Sequence, residues 1–359
     1  MLESLTLQDF TVFHRAEFRF GKNLNVIVGE NGSGKTHILK AAYAGIAAGA
    51  VRTSEARGTK AQYQIALASK LIGAFRPDSL GRLMRRAQGR LKCKVTCSFD
   101  RPELDFGYSF SRMAKTEVNV SKQPAETFTK RPVYLPTREL LTIFPGFVAL
   151  YEDAYLPFEE TWRDTCLLLG APLARGPREV KIKQLLKPLE RAMDGKIELD
   201  SGRFFLKTNY SGRMEIHLVA EGIRKLATIA RLIATGALLD TGYLFWDEPE
   251  ANLNPKIVKT IAETILLVAQ NGIQVFVATH SLFLLRELHI LCQNPKFLQL
   301  DTRFFGLHLK PYGAGVTVQQ GKTMDQIGDI AALDEDLQQS DRYMETEIAL
   351  SGDLAIQDS

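Results

Sequence analysis

Apolar positions recur along the 359-residue chain in two periods, and the changes from one to the other outline its organisation. Residues 2–7 and 17–20 alternate apolar and polar, the period of strands with one wet face. Leu24–Val28 is continuously apolar and β-branched, as in a parallel strand buried on both sides. From Ser33 to about Ala48 the spacing turns helical. Residues 50–130 are weaker in pattern. A basic stretch of helical character runs to about Arg90, short strands follow over 92–99 and 105–111, and a polar stretch reaches Lys130. Arg131–Leu135 is another strand. Residues 138–195 read as mostly helical, broken by prolines and glycines. Short strands over 196–199, 203–208 and 213–219 are joined by Gly-containing turns. After Gly222 an amphipathic helix places Ile223, Leu226, Ala227, Ala230, Ile233, Ala234 and Ala237 on one face. Tyr243–Trp246 and Ile273–Ala278 are buried strands. The helix between them is bounded by Asn254-Pro255, an N-cap and first-turn proline, and by Asn271-Gly272 at its end. A final hairpin over 303–310 and 315–321 leads to the tail.

Four motifs on this frame carry chemistry. GENGSGKT, Gly29 to Thr36, fits G-x-x-x-x-G-K-[ST] with a strand before it and a helix after it. Glycines let backbone N–H groups turn inward around phosphate oxygens, and the helix N-terminus adds its dipole. Lys35 would reach the β- and γ-phosphates and Thr36 would hold Mg²⁺. YLFWDEPE, Tyr243 to Glu250, is a central strand ending in acids. Asp247 is placed to hold Mg²⁺ through water, and Glu248 to polarise the attacking water as general base. In VATHS, His280 follows a buried strand, where α/β sheets put ligand contacts, and is placed to sense the γ-phosphate. In VAEGIRKL, Gly222 opens a helix whose free N–H groups suit a phosphate.

Composition narrows the class only a little. Hydrophobic residues are 45% and charged residues 24%, with a formal net charge of +4, so net charge alone does not point to nucleic acid. The four cysteines, Cys93, Cys97, Cys166 and Cys292, form no disulfide framework, and no second Cys/His pair makes Cys93 and Cys97 a metal site. The start lacks a signal peptide's basic and apolar regions, and the longest apolar run is broken by Pro145 and Gly146. A cytoplasmic protein with no membrane span is expected.

In this order the motifs resemble the ATP-binding-cassette ATPases. SLTLQDFTVF and NVIVGENGSGKTHIL are similar to the SMC/RecF branch rather than to a transporter subunit. EPEANLNP is close to the E-P-E-x-x-L-x-P form of the OLD-like "AAA family" ATPases of bacterial anti-phage systems (PARIS AriA-like, Septu PtuA-like). The resemblance covers roughly residues 1–50 and 130–320. It implies an α/β fold: an ABC-ATPase head, that is a P-loop NTPase, with a mixed β-sheet core, N-terminal antiparallel strands and an α-helical insertion. Residues 1–320 would form a single head in two lobes. Within it, 1–50 and 200–320 make the nucleotide-binding core, 51–130 an insertion and 131–200 a mostly helical lobe, and 321–359 is an acidic tail.

The resemblance also implies roles. Gly29, Glu30, Asn31, Gly32, Ser33, Gly34, Lys35, Thr36 and His37 bind the nucleotide as Walker A and its continuation. Tyr243–Glu248 is Walker B, Ala251–Pro255 the D-loop with Asn252 and Asn254, and His280 the switch histidine. Ala220, Glu221, Gly222 and Arg224 form the signature, which completes the site of the other subunit. Lys35, Glu248 and His280 are the catalytic set. ATP and Mg²⁺ are the cofactors, the metal held by Thr36 and through water by Asp247. Two heads would sandwich two ATPs as a homodimer, closing on binding and opening on hydrolysis, with room for a higher oligomer of dimers.

Three departures stand out. Ala220 replaces the usual signature Ser, so backbone N–H groups and Arg224 or Lys225 are expected to substitute. Thr137, Arg138 and Glu139 stand where a Gln is usual after the RPVYL strand. Long coiled-coil arms and space for a C-terminal nuclease are missing, as in a bare head with a helical insertion.

Two charged stretches leave the biology open. Residues 76–94 carry Arg76, Arg82, Arg85, Arg86, Arg90, Lys92 and Lys94 against Asp78, a net of +6. They form a solvated face, a grip on nucleic-acid phosphates or a surface for an acidic partner. No aromatic residue interleaves them, which disfavours stacking on single strands. Residues 324–359 carry a net of −9 and form a solvated or disordered tail or dock on a neighbouring subunit or an effector. The leading expectation is an ATPase switch controlling a separate effector in anti-phage defence. A RecF-like DNA-repair clamp is the alternative, and a small-molecule kinase or inert scaffold fits the acid pair, His280 and Lys35 less well.

Overall fold

The computed structural model describes all residues except 51–58, 87–90, 155, 178, 211, 312–314, 330–334, 336–337 and 349–359. Arg90 of the basic stretch and much of the acidic tail therefore lie outside the described residues.

Among the described residues the strands form three sheets. The first is antiparallel, in the order β2-β1-β4-β5-β6: β1 (Leu2–Phe10), β2 (Phe13–Arg19), β4 (Lys92–Phe99), β5 (Phe106–Ser111) and β6 (Asn119–Lys122). The alternation read at the N-terminus extends through both first strands, which turn tightly at Thr11 and Val12. β6 falls inside the stretch expected to be polar, and buried Val118 and Val120 anchor it. The helix expected to run towards Arg90 stops early. α2 (Lys60–Phe75) starts on a Thr59–Gln62 capping box and ends at left-handed Arg76, just before Pro77.

The central sheet has the order β14-β13-β3-β12-β11-β7. β3 (Leu24–Gly29), β7 (Val133–Leu135), β11 (Tyr243–Asp247), β12 (Gln274–Thr279) and β13 (Thr302–Leu309) run parallel, and β14 (Val316–Gly321) closes one edge antiparallel. Buried on both faces, these strands read as continuous apolar runs. Ile27, Phe245, Phe276 and Phe305 face the antiparallel sheet, α1 (Lys35–Gly49) and α2. Val26, Leu244, Trp246 and Val277 face the helical side. That side holds α3 (Phe144–Asp153), α4 (Glu160–Leu169), α5 (Glu179–Met193), α6 (Glu221–Ala234), α8 (Pro255–Gln270) and α9 (Leu282–Cys292). Pro145 and Gly146 kink α3 as expected. Left-handed Gly236 separates α6 from the short α7 (Ala237–Asp240), so Ala237 does not continue the α6 face. A small third sheet, β8 (Gly195–Asp200), β9 (Arg203–Thr208) and β10 (Gly212–Glu215), packs beside α5 and α6.

One buried amide fastens the first two sheets together. Gln274 of β12 accepts from Leu2 N–H and donates to the carbonyls of Leu2 and Gly21, each at 2.8 Å. The four cysteines are free thiols, three of them buried, and burial pushes Cys97 and Cys166 upward, the latter to about 12. No helix among the described residues is long and apolar enough to cross a membrane.

Candidate functional site

The parallel strands deliver the motif residues to one end of the sheet. β3 ends in the glycine-rich loop, β11 in Asp247 and Glu248, and β12 in Thr279 and His280. Neighbouring parallel strands put their carboxyl ends side by side, which is where open α/β sheets bind ligands.

The loop takes a shape that few sequences allow. Gly32 and Gly34 have φ of 83° and 93°, and a Cβ on Gly32 would meet open space. Gly29 is needed for closeness instead: a Cβ there would lie 2.7 Å from Ser33 Oγ. Lys35 folds back over the loop, donating to the carbonyls of Gly29 at 2.8 Å and Glu30 at 3.0 Å. Burial lowers its ammonium, and Glu248 and Asp247 pull it back up. Glu30, Asn31 and Gly32 are exposed, while Ser33 is buried and its hydroxyl has no hydrogen-bond partner. His37 turns away from the loop. Its ring packs 5.7 Å from that of Phe75, and burial, helped by Lys40, holds it neutral with a pKa near 4.

Thr36 and Asp247 meet across the strands. The Thr36 hydroxyl lies 2.9 and 3.1 Å from the two Asp247 oxygens. Tyr134 of β7 donates to the same carboxylate at 3.3 Å. Burial raises Asp247 to about 6, opposed by the Thr36 hydrogen bond and reinforced by the Glu248 charge. Glu248 has a left-handed backbone, φ 45°, that costs roughly 1 kcal/mol or more and swings its side chain off the strand line. Its N–H still donates to Ala278, at 2.9 Å, and its carboxylate stands 3.0 Å from His280 Nδ1.

The turn after β11 is tied to α6. Lys225, buried, donates to the carbonyls of Glu248 and Ala251, each at 3.0 Å. Asn252, also left-handed at φ 62°, donates to Glu221 at 2.8 Å. Asn254 caps α8 through Ile257 N–H, as its place before Pro255 predicts. Gly222 packs against Leu253 in the same turn. Ala220 and Glu221 stand exposed at the start of α6, and among the described residues no hydrogen bond or ion pair joins 220–222 to 29–36. Arg224 is engaged within its own chain, with Glu139 at 2.8 Å and the Val219 carbonyl at 2.7 Å. Both cations expected to make up for Ala220 are therefore occupied, one by the turn after β11 and one by Glu139, which sits where the usual Gln is missing.

Tyr134, Lys225, Glu139 and Glu250 belong to this constellation although the motifs do not single them out for these roles. Glu250 accepts from Thr279, and its other oxygen is buried without a partner. A tyrosine in a strand beside an acid-ending strand, and a lysine one turn into a helix that packs on that acid's turn, are the signals that point to the first two.

Residues 134–286 match the family model "AAA domain, putative AbiEii toxin, Type IV TA system", and residues 4–81 match a second model, "AAA domain". An SMC head bound to the C-terminal winged-helix domain of ScpA superposes with a TM-score of 0.53 at 13% identity, covering 90% of this chain and 98% of that one. The chain has the fold of an SMC-type ATPase head. Two further SMC heads align at 13% identity. The head from Thermotoga maritima has a TM-score of 0.45 over 88% of this chain and 97% of that one. A head with an extended coiled coil, bound to the C-terminal domain of ScpA derived from Pyrococcus furiosus, has a TM-score of 0.49 over 89% and 96%. No curated protein matches in sequence.

The site's donors fit Mg²⁺ and a triphosphate. Thr36 and Asp247 present hard oxygens side by side, as a cation that also takes phosphate oxygens requires. The loop offers left-handed glycines, a buried unpaired hydroxyl and a lysine bound only to carbonyls.

Proposed function

We propose that this chain is an ATP-binding and hydrolysing switch that closes head-to-head around ATP and controls a separate effector protein, in defence against phage. The observation that carries it is the convergence of Lys35, Thr36, Asp247, Glu248 and His280 at neighbouring strand ends. Mg²⁺ would be held by Thr36 and Asp247 and would neutralise charge on the phosphates. Lys35 exchanges two carbonyls for phosphate oxygens. Glu248, aimed by its backbone and by His280, takes a proton from the attacking water. His280 holds that carboxylate and faces the phosphate leaving it.

The exposed start of α6 supports a composite site. With no bond to its own loop, the signature at Ala220–Gly222 is free to complete the loop of a second copy. Asn252 and Lys225 make the signature and the catalytic turn one unit. Engagement of the signature by another subunit's nucleotide is thereby felt at Glu248. The matched family's description names a putative AbiEii toxin and a Type IV TA system, which supports a toxin-system setting for the switch.

A second reading, a RecF-like clamp on DNA, draws on Arg82, Arg86, Lys92 and Lys94, which stand exposed. Arg76 does not join them, because its guanidinium donates to the Leu156 carbonyl. The deciding experiment is a tagged pull-down of Glu248→Gln with ATP present, read by mass spectrometry and nucleic-acid staining. One stoichiometric protein partner supports the switch. Bound DNA without such a partner overturns it in favour of the clamp.

A further inference from the structure

At the opposite end of the central sheet lies a cavity of about 580 Å³, within the range of small-molecule sites. It sits at the amino ends of β7 and β11, where Val133 begins its strand and Thr241 precedes Tyr243, whereas the phosphate loop is at the carboxyl ends. Its lining includes the apolar side chains of Ala47, Leu168 and Ala171. It also includes Lys70, Arg131 and Arg163.

Among the described residues the charges in the cavity do not balance. Asp164 is, among the described residues, the one acid on its lining, and it is already bound by Lys70 at 2.9 Å, Arg163 at 3.1 Å and the Tyr43 hydroxyl at 2.6 Å. Lys70 also holds Glu160, and Arg163 holds Glu152. The Arg131 guanidinium has no ion-pair partner among the described residues, and only its carbonyl is used, by Thr241. A lining that combines apolar side chains with a cation lacking an ion-pair partner fits a ligand with an apolar body and a single anionic group.

The cavity also touches the nucleotide site through two rings. Tyr43 lines it and meets Tyr134 edge-on, with centroids 5.4 Å apart. The Tyr134 hydroxyl reaches Asp247, and the Thr165 hydroxyl, one residue beyond Asp164, holds the Tyr134 carbonyl at 2.7 Å. We propose that this cavity is a regulatory site for a small organic anion, seated on Arg131 against Leu168 and Ala171, and that its occupancy alters the nucleotide site through Tyr43, Tyr134 and Asp247. The coupling rests on the ATP-binding reading; the site itself does not.

The probe is anilinonaphthalene sulfonate, an aromatic body with one anionic group, titrated by fluorescence into the full chain. Saturable one-to-one binding is expected. Arg131→Glu should weaken it about tenfold, the loss of one charge-assisted hydrogen bond, and Ala171→Trp should abolish it by filling the cavity. Arg131 is exposed, so the first variant folds even if the second does not. Mg·ATP affinity should shift severalfold with the dye bound, and dye affinity should shift equally with Mg·ATP bound. In Tyr134→Phe the dye should still bind while that mutual shift disappears. Dye binding indifferent to Arg131→Glu and Ala171→Trp overturns the site. Binding that obeys both variants without any shift in ATP affinity overturns the coupling. A protein that binds the dye as expected but no ATP sinks the nucleotide reading and the coupling, and leaves the site supported.

Discussion

The Thr36 hydroxyl and the Asp247 carboxylate lie 2.9 Å apart, although 211 residues separate them in the chain. The pair joins the first turn of α1 to the end of β11, and between them they supply the oxygens a magnesium ion would use. Asp247→Asn should leave nucleotide held through Lys35 and the loop, yet lower Mg²⁺-dependent hydrolysis on the order of a hundredfold or more. Phosphate release measured across a Mg²⁺ titration checks this, and an unchanged Mg²⁺ response would remove Asp247 from the metal site.

Lys35 and Glu248 should separate binding from turnover. Lys35→Ala is expected to abolish ATP binding. Glu248→Gln is expected to bind ATP at parental affinity while turnover falls by on the order of 10² to 10⁴. Equilibrium binding and steady-state hydrolysis read the two effects. Turnover of Glu248→Gln at the parental rate would refute the assigned base.

The exposed signature predicts assembly that depends on nucleotide. Glu248→Gln should sediment as a closed dimer with ATP and return to the smaller species with ADP, and Gly222→Asp should block the closed form. A Cβ on Gly222 would sit 3.2 Å from Leu253, so its unfolding midpoint must be compared in parallel. Sedimentation indifferent to ATP would contradict the composite site.

Lys225 gives stability a pH dependence of known sign. Burial lowers its ammonium from the ordinary 10.5 to about 8. Below about pH 8 both folded and unfolded states are protonated, and the buried charge weakens the fold in full. Between 8 and 10.5 the folded state loses its proton first, and that penalty fades. Relative to Lys225→Met, the parent should therefore gain stability with rising pH across this window, by up to ~1.4 kcal/mol per unit. Urea unfolding of both proteins near pH 7 and again near pH 9.5 tests it; a constant difference would mean that Lys225 does not titrate there.

Gln274→Leu should cost about 2–4 kcal/mol. It leaves the buried Leu2 N–H without its acceptor and removes one donor each from the carbonyls of Leu2 and Gly21, the latter still held by Asn25 at 3.0 Å. Thermal unfolding reads the loss, and a midpoint within a degree of the parent would argue that water satisfies those groups.

Local pattern made much of this protein legible. Gly29–Thr36 between an apolar strand and a helix, the acids ending Tyr243–Asp247, and Asn254-Pro255 at a helix start all rest on backbone conformation and short-range chemistry, which neighbouring residues carry. The strand at Asn119–Lys122 and the early end of α2 at Arg76 were less legible. The first depends on pairing with β5, and the second on a left-handed turn before a proline that competes with a good helical spacing. Partnership at a distance was not legible at all. That Arg224 belongs to Glu139, Lys225 to the carbonyls of Glu248 and Ala251, and Tyr134 to Asp247 follows from which parallel strands lie side by side and how α6 docks on them. A chain specifies its turns and faces residue by residue, but a hydrogen bond between elements is decided only when burial brings both groups to one place and leaves neither with water.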